Sequence, residues 1–203
     1  MLRILRARER MDRAFINKLK IKNCLETDID AIIVLCKELM ITQSYRGAVN
    51  DPENQRLYRD SLLRSIREEP RGCFVAILDG ETIGFARAYT ITETQKFNPR
   101  RKIGIIGPCE VKKDYRRKGI GTLLIESCFE YLKCKECTYV MLHVYCTNIY
   151  ALRFYEKLGF RVLGGRIIIM LLRFWVKLGA KPLRARKLTI QMIKRHPSTM
   201  IIS

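Results

Sequence analysis

The apolar residues of this chain follow two patterns, which together predict a mixture of strands and helices. Some form short runs with the length of a strand, and others recur at helical spacing. The predicted strands cover residues 18–23, 73–78, 82–91, 102–111 and 139–145. The predicted helices begin near residues 27, 52, 120 and 149. The order is strand, two helices, three strands, helix, strand, helix and two strands, which indicates a mixed α/β domain with a central sheet.

Several local signals refine this pattern. Thr27 is expected to cap the first helix with its side-chain oxygen, and Pro52 suits the first turn of the second. Gly107-Pro108 interrupts the strand at 102–111, and because proline cannot donate to a sheet ladder, a bulge or splay is expected there. His143 is the polar exception in an otherwise apolar strand, so it is expected inside the sheet.

The net charge of +19 is concentrated at the two ends of the chain. Ten Lys or Arg and no Asp or Glu occur from residue 161 onward, and the first 20 residues contain seven cations and two anions. This predicts a basic extension at 1–17, a domain at 18–174 closed by a hairpin of 160–163 and 167–174, and a basic tail at 175–203. The basic ends could bind nucleic acid or the ribosome, or could be solvated tails.

No apolar run is long enough to span a bilayer, and the N-terminal residues lack the apolar core of a secretory signal. A cytoplasmic location is therefore expected, with the eight cysteines as reduced thiols. Cys134-x-x-Cys137 has no second pair of ligands at a recognisable spacing, so no metal site is predicted.

The stretch "YRRKGIGT" at residues 115–122 stands between a predicted strand and a predicted helix. The first backbone N–H groups of a helix lack intrahelical acceptors, and glycine lets an anion approach them closely. Arg116, Arg117 and Lys118 add full positive charges. The turn therefore suits a pyrophosphate, although it matches neither of the common nucleotide-binding glycine motifs. A plain anion-binding turn without a specific ligand is the alternative.

A second motif, "NIYALRFYEKLGF" at residues 148–160, changes this interpretation. Together with Arg116-x-x-Gly119-x-Gly121 it resembles the two signatures of the GCN5-related N-acetyltransferase (GNAT) family, in the same order and at similar spacing. The resemblance covers residues 18–174. It implies an α/β fold with a mixed central sheet and splayed parallel strands flanked by helices, and acetyl-coenzyme A as co-substrate without a metal.

The resemblance also implies which residues bind the cofactor. The glycine turn would hold the pyrophosphate, and the backbone of the preceding strand would pair with the pantetheine arm. The cofactor-binding residues expected on this basis are Cys109, Glu110, Val111, Arg116, Arg117, Lys118, Gly119, Ile120, Gly121, Thr122, Asn148 and Tyr155. Asn148 has a simpler alternative as a helix cap.

Acetyl transfer needs a base for the amine and an acid for the thiolate leaving group. Tyr155 matches the usual acid of the family, with a core tyrosine as the alternative. The base is left open. His143 is one candidate because "LHV" at 142–144 resembles protein N-terminal acetyltransferases and imidazole titrates near neutral pH; a satisfied structural histidine is the alternative. Glu110 is the second candidate, and a chain of waters is the third.

The sequence thus predicts an acetyl-coenzyme A-dependent N-acetyltransferase that acts on a primary amine by direct attack in a ternary complex. The "LHV" stretch slightly favours a protein N-terminus as the acceptor. A small-molecule amine is one alternative. A non-catalytic acyl-coenzyme A-binding module, docked on nucleic acid by the basic ends, is the other.

Overall fold

The computed structural model describes residues 12–42, 51–92, 102–145, 148–162 and 189–195. Contacts divide the chain into two compact units. The first unit consists of Met1–Tyr89 and Ile106–Cys134, and the second of Thr90–Ile105 and Lys135–Ser203.

The elements of the first unit in chain order are α1 (Arg13–Lys18), β1 (Leu19–Asn23), α2 (Ile29–Thr42), α3 (Pro52–Glu68), β2 (Cys73–Leu78), β3 (Glu81–Thr92), β4 (Lys102–Val111) and α4 (Ile120–Cys134). The strand order is β1-β2-β3-β4, with β1 and β3 both antiparallel to β2. The last residues of β3 and the first residues of β4 are assigned to the second unit.

Helices cover both faces of this part of the sheet. On one face, α2 and α3 pack on β2 and β3. The buried cluster there consists of Cys24, Ile29, Ile32, Cys36, Leu62, Ile66, Cys73, Val75 and Phe85. On the opposite face, α4 approaches closely enough that a Cβ built on Gly84 would lie 3.0 Å from Cδ1 of Leu124. Strands β2 and β3 are therefore covered on both faces.

The starts of α2 and α3 confirm one of the two predicted helix starts and contradict the other. Asp51 caps α3 by accepting a hydrogen bond from the N–H of Glu53 (3.0 Å), with Pro52 at the first position as expected. The expected cap at Thr27 was wrong: the carboxylate of Asp28 accepts from the N–H of Leu25 (2.9 Å) in a 3-10 turn before α2. A hydrogen bond to a carboxylate is charge-assisted and is therefore stronger than one to a neutral hydroxyl.

The further elements of the second unit are β5 (Tyr139–Tyr145), α5 (Ile149–Lys157), β6 (Arg161–Val162) and β7 (Thr189–Arg195). The strand order in this part of the sheet is β4-β5-β7-β6. The sequence placed 175–203 in a tail outside the domain, whereas β7 is antiparallel to both β5 and β6. The basic composition of 175–203 suggested a tail, yet this region contains the short strand β7, whose Met192 is fully buried opposite Leu142. The second predicted strand of the hairpin, at 167–174, lies outside the described residues, as do most residues of the two basic ends.

His143 is exposed, so its expected place in the interior was wrong. Val140, Leu142 and Val144 are buried on one face of β5, and His143 lies on the other face by strand alternation. The residues before and after His143 in the sequence are apolar, but this pattern did not mean that both faces of β5 are buried.

Within the described residues, no helix combines the length and apolarity that a membrane crossing requires. None of the seven cysteines in this part of the chain forms a disulfide. The same residues contain no group of three or more potential ligands placed to hold a metal ion.

Candidate functional site

The glycine turn forms a left-handed step into α4. Arg117 has a φ of 62° and Gly119 a φ of 87°, in the region where a side chain is strained and glycine is not. The carbonyl of Gly119 accepts from the N–H groups of Thr122 (3.0 Å) and Leu123 (3.2 Å), which starts the helix. The N–H groups before Thr122 lie at the positive end of α4 without intrahelical acceptors, and can therefore bind an anion.

The predicted binding residues differ in how they contribute to this turn. Ile120 is buried and anchors the first turn of α4, while Gly121 and Thr122 are half-buried. The three cations are exposed. The Nε of Arg116 donates to the carbonyl oxygen of Val111 (2.8 Å), which ties this guanidinium to the end of β4 and leaves its terminal nitrogens available.

Strand β4 loses its regular alternation just before the turn. A Cβ on Gly107 would lie 3.8 Å from the Cβ of Arg87, and Arg87 pairs with Cys73 on the face of β3 covered by α2 and α3. Glu110 interacts electrostatically with Cys36 of α2, so it faces the same side. Two residues three positions apart share a face only if the alternation is interrupted once between them. The two residues thus indicate a change of phase close to the Gly-Pro step, where the sequence predicts a bulge or splay.

Glu110 is 4% exposed, which is unusual for a carboxylic acid. Burial raises the pKa of its carboxyl to about 8, and the guanidinium of Arg116 opposes that rise. Roughly nine in ten of these carboxyls are therefore protonated at pH 7. Nearby, the hydroxyl of Tyr58 donates to the sulfur of Cys36 (3.0 Å), and burial raises the pKa of that thiol to about 12. Of these groups, Glu110 is the one that can exchange a proton near neutral pH.

The neighbours of Glu110 on β4 are suited to backbone contacts. Cys109 and Val111 are half-buried. Burial raises the pKa of the Cys109 thiol, and the charge of Glu110 raises it further. Because only a thiolate is a good nucleophile, this raised pKa argues against a nucleophilic role for Cys109 at neutral pH.

The second unit holds the remaining predicted site residues. Tyr155 on α5 is 8% exposed, with ring centroids 5.1 Å from Phe154 and 5.7 Å from Phe160 in an edge-on arrangement. Asn148 caps α5, since its Oδ1 accepts from the N–H of Ala151 (3.0 Å). The simpler alternative for Asn148 is thus what its side-chain oxygen does; its amide nitrogen remains a candidate donor.

His143 lies on β5, opposite Gln191 of β7, with its side chain exposed. The structure thus brings the candidates together in two groups. The first unit holds residues 109–111 and 116–122, and the second holds His143, Asn148 and Tyr155.

Comparison with known proteins shows the family of the chain. The family model described as the acetyltransferase (GNAT) family matches residues 38–160, more than half of the chain. The chain belongs to the GNAT family. Its helix-flanked mixed sheet is the GNAT fold, and both motifs lie within the matched range.

Individual GNAT relatives agree. N-alpha-acetyltransferase 30 of Dictyostelium discoideum is 36% identical over 95 residues, which make up 47% of this chain and 49% of that protein. The chain thus spans about half the length of that relative. The N-alpha-acetyltransferase of Sulfurisphaera tokodaii is 28% identical over 146 residues, 70% of this chain and 80% of that protein.

Among solved structures, the PaiA N-acetyltransferase of Thermoplasma acidophilum in complex with coenzyme A superposes with a TM-score of 0.61. It is 19% identical to this chain, and the match covers 87% of this chain and 98% of that one. At this identity, the likeness shows the GNAT fold alone.

One contact at the GNAT turn was not foreseen from the sequence. The Nζ of Lys118 lies 5.2 Å from the ring centroid of Tyr115 and 5.7 Å from that of Phe15. Phe15 belongs to α1, within the residues that the sequence analysis assigned to a basic extension. No motif marks it, and only the packing of α1 reveals its place beside the turn.

Proposed function

We propose that this chain binds acetyl-coenzyme A through residues 116–122 and transfers the acetyl group to a primary amine by direct attack. The observation that carries the proposal is the start of α4. There, a glycine at a φ of 87° opens the positive end of a 15-residue helix beside three exposed cations. Backbone N–H groups at such a helix start bind pyrophosphate without a bulky side chain in the way.

The strand before the turn would hold the rest of the cofactor. Cys109, Glu110 and Val111 are the last three residues of β4, just before the glycine turn. Backbone N–H and C=O groups that do not pair within the sheet need other partners. A pantetheine arm, with two amides of its own, supplies them. A backbone N–H here would also polarise the thioester carbonyl.

Glu110 is the base that we propose. It takes a proton from the acceptor ammonium, the neutral amine attacks the thioester carbon, and the carbon–sulfur bond breaks to leave a thiolate and a nitrogen that carries one extra proton. Tyr155 is the acid that we propose: it gives its phenolic proton to that thiolate, and the resulting phenolate is reprotonated by the extra proton that the nitrogen releases. The pKa of Glu110, raised to about 8 by burial, makes it a stronger base than an ordinary carboxylate once it ionises. His143 is the alternative base, and Asn148 an additional donor to the cofactor.

For the acceptor, we favour a protein N-terminus. Both curated relatives described above carry the name N-alpha-acetyltransferase, and the "LHV" stretch points the same way. A small-molecule amine would leave the chemistry unchanged. The predicted contact with nucleic acid or the ribosome stays a prediction, because the basic ends lie mostly outside the described residues.

Binding of coenzyme A by calorimetry tests the cofactor site. Gly119→Val adds a β-branched side chain at a φ of 87°, so it should distort the turn and lower the affinity at least tenfold. Gly80→Val is the matched control. Gly80 has a φ of 85° and open space around it, so the substitution imposes similar backbone strain far along the chain from the turn. A folded Gly119→Val variant that binds as tightly as Gly80→Val contradicts the proposed site.

Thiol release from acetyl-coenzyme A tests catalysis. The chain should transfer acetyl groups to some members of a peptide library with free N-termini, and blocked N-termini should not react. Transfer to small amines but not peptides would replace the acceptor and keep the enzyme. Tight binding of coenzyme A with no transfer to either set would make the chain a binding module.

A further inference from the structure

Helix α1 brings an aromatic side chain to the glycine turn. Asp12 caps this six-residue helix by accepting from the N–H of Ala14 (3.4 Å), and Lys18 at its other end forms an ion pair with Asp79 (3.3 Å). The ring of Phe15 is thereby held with its centroid 6.4 Å from that of Tyr115, the residue that precedes the cationic turn. All of these residues belong to the first unit.

The two rings share one cation. The Nζ of Lys118 lies within 6 Å of both ring centroids, 5.2 Å from Tyr115 and 5.7 Å from Phe15, which is the range of a cation–π interaction. No carboxylate of a described residue forms an ion pair with Lys118. The rings attract the ammonium but leave its N–H groups able to bond to an oxygen anion.

The position of Lys118 makes this arrangement matter for an anion. Lys118 stands between two residues in the left-handed conformation, Arg117 and Gly119, directly before α4. A free lysine side chain samples many rotamers, and binding must restrict them. Rings that already hold the ammonium beside the turn reduce that loss, because the cation is placed before the ligand arrives.

We propose that Phe15 and Tyr115 position the ammonium of Lys118 to bind a phosphate group of the cofactor. Phe15 thus acts through Lys118 as a positioning residue for phosphate recognition. This inference rests on the proposed function, since it takes coenzyme A as the ligand. It assigns the helix before β1 to the binding site, although that helix precedes the residues matched by the family model.

Phosphate-bearing and phosphate-free ligands separate this role from ordinary packing. Phe15→Leu keeps an apolar side chain and removes the ring. It should weaken binding of coenzyme A by about twofold to fivefold, the size of an exposed cation–π contact. The KM for S-acetylpantetheine, which has no pyrophosphate and no ribose phosphate, should not change. Phe15→Tyr keeps an aromatic ring and should bind coenzyme A as tightly as wild type does.

A double-variant cycle completes the test. Lys118→Met should weaken coenzyme A binding by itself, and adding Phe15→Leu should then have no further effect, because the ring acts through the ammonium. Ile16→Val is the control. Ile16 is the residue after Phe15 on α1 and lines a groove of about 520 Å³ beside α4, so this change should leave the affinity for coenzyme A unchanged.

The outcomes distinguish this inference from the proposed function. Equal losses for coenzyme A and S-acetylpantetheine, or a full loss from Phe15→Leu in the Lys118→Met background, would overturn the positioning role. Wild-type protein that binds no coenzyme A would instead overturn the proposed function. Wild-type protein that binds it, with Phe15→Leu unaffected, would leave the cofactor site standing and remove only Phe15 from it.

Discussion

Replacing Glu110 by glutamine should make the folded protein less sensitive to alkaline pH. Folding raises the pKa of this carboxyl from 4.5 to about 8, mainly because it is buried. The folded state therefore holds the proton more tightly than the unfolded state does. Its stabilising effect is complete below pH 4.5, falls as the pH rises, and is lost above about pH 8. At about 1.4 kcal/mol for each pH unit, the loss approaches 5 kcal/mol as an upper bound.

Urea unfolding at intervals from pH 5 to pH 9, followed by circular dichroism, measures this effect. Glutamine cannot ionise, so the free energy of unfolding of Glu110→Gln should lack this part of the slope. Other titrating groups are the same in both proteins, and their contributions cancel in the difference. Relative to wild type, the variant should gain roughly 3–5 kcal/mol between pH 5 and pH 9.

Glu130→Gln provides the control, because Glu130 is exposed on α4 and its curve should run parallel to that of wild type. If the difference between wild type and Glu110→Gln stays constant from pH 5 to pH 9, the carboxyl is not held protonated by burial. The assignment of Glu110 as a base with a raised pKa would then fail as well.

Four further substitutions, the last of them a control, test the acid, the second base candidate and the packing of the sheet. Tyr155→Phe keeps the ring and removes the hydroxyl, so kcat should fall by roughly two to four orders of magnitude with the Kd for acetyl-coenzyme A unchanged; unchanged turnover would make Tyr155 a core residue. His143→Gln should lower kcat less than about tenfold, because we assign the larger base contribution to Glu110; a loss as large as that from the acid variant would reverse the assignment. Gly72→Ala should lower the free energy of unfolding by about 3 kcal/mol or more, because its Cβ would lie 2.2 Å from the carbonyl oxygen of Ala88. Gly107→Ala is the control: no atom would lie closer than 3.6 Å to its Cβ, so it should cost under about 1 kcal/mol in the same urea titration.

Elements set by local patterns were predictable from the sequence. The bounds predicted for β4 and β5, 102–111 and 139–145, are those of the structure, since apolar runs bounded by turn signals specify strands locally. Strand β7 was missed because its place depends on pairing with β5, nearly 50 residues earlier in the chain, and its cations resemble those of a tail.

The candidate site shows the same division. The turn before α4 and the cap of α5 follow from residues adjacent in sequence; the turn was expected, and the cap was the alternative given for Asn148. The burial of Glu110, the exposure of His143 and the approach of Phe15 to Lys118 arise from packing between distant segments. Periodicity alone cannot say which face of a strand a helix will cover.

The place of β7 between β5 and β6 has a consequence for synthesis of the chain. A ribosome makes β5 and β6 well before residues 189–195, so both strands wait without the β7 strand that pairs with each of them until this segment is translated. Open edges of this kind invite pairing with other chains. Closing the gap requires contacts between residues such as His143 and Gln191, and distant pairings form slowly. The second unit therefore cannot complete its sheet until translation has passed residue 195, and slow translation of that stretch should favour aggregation of the nascent protein.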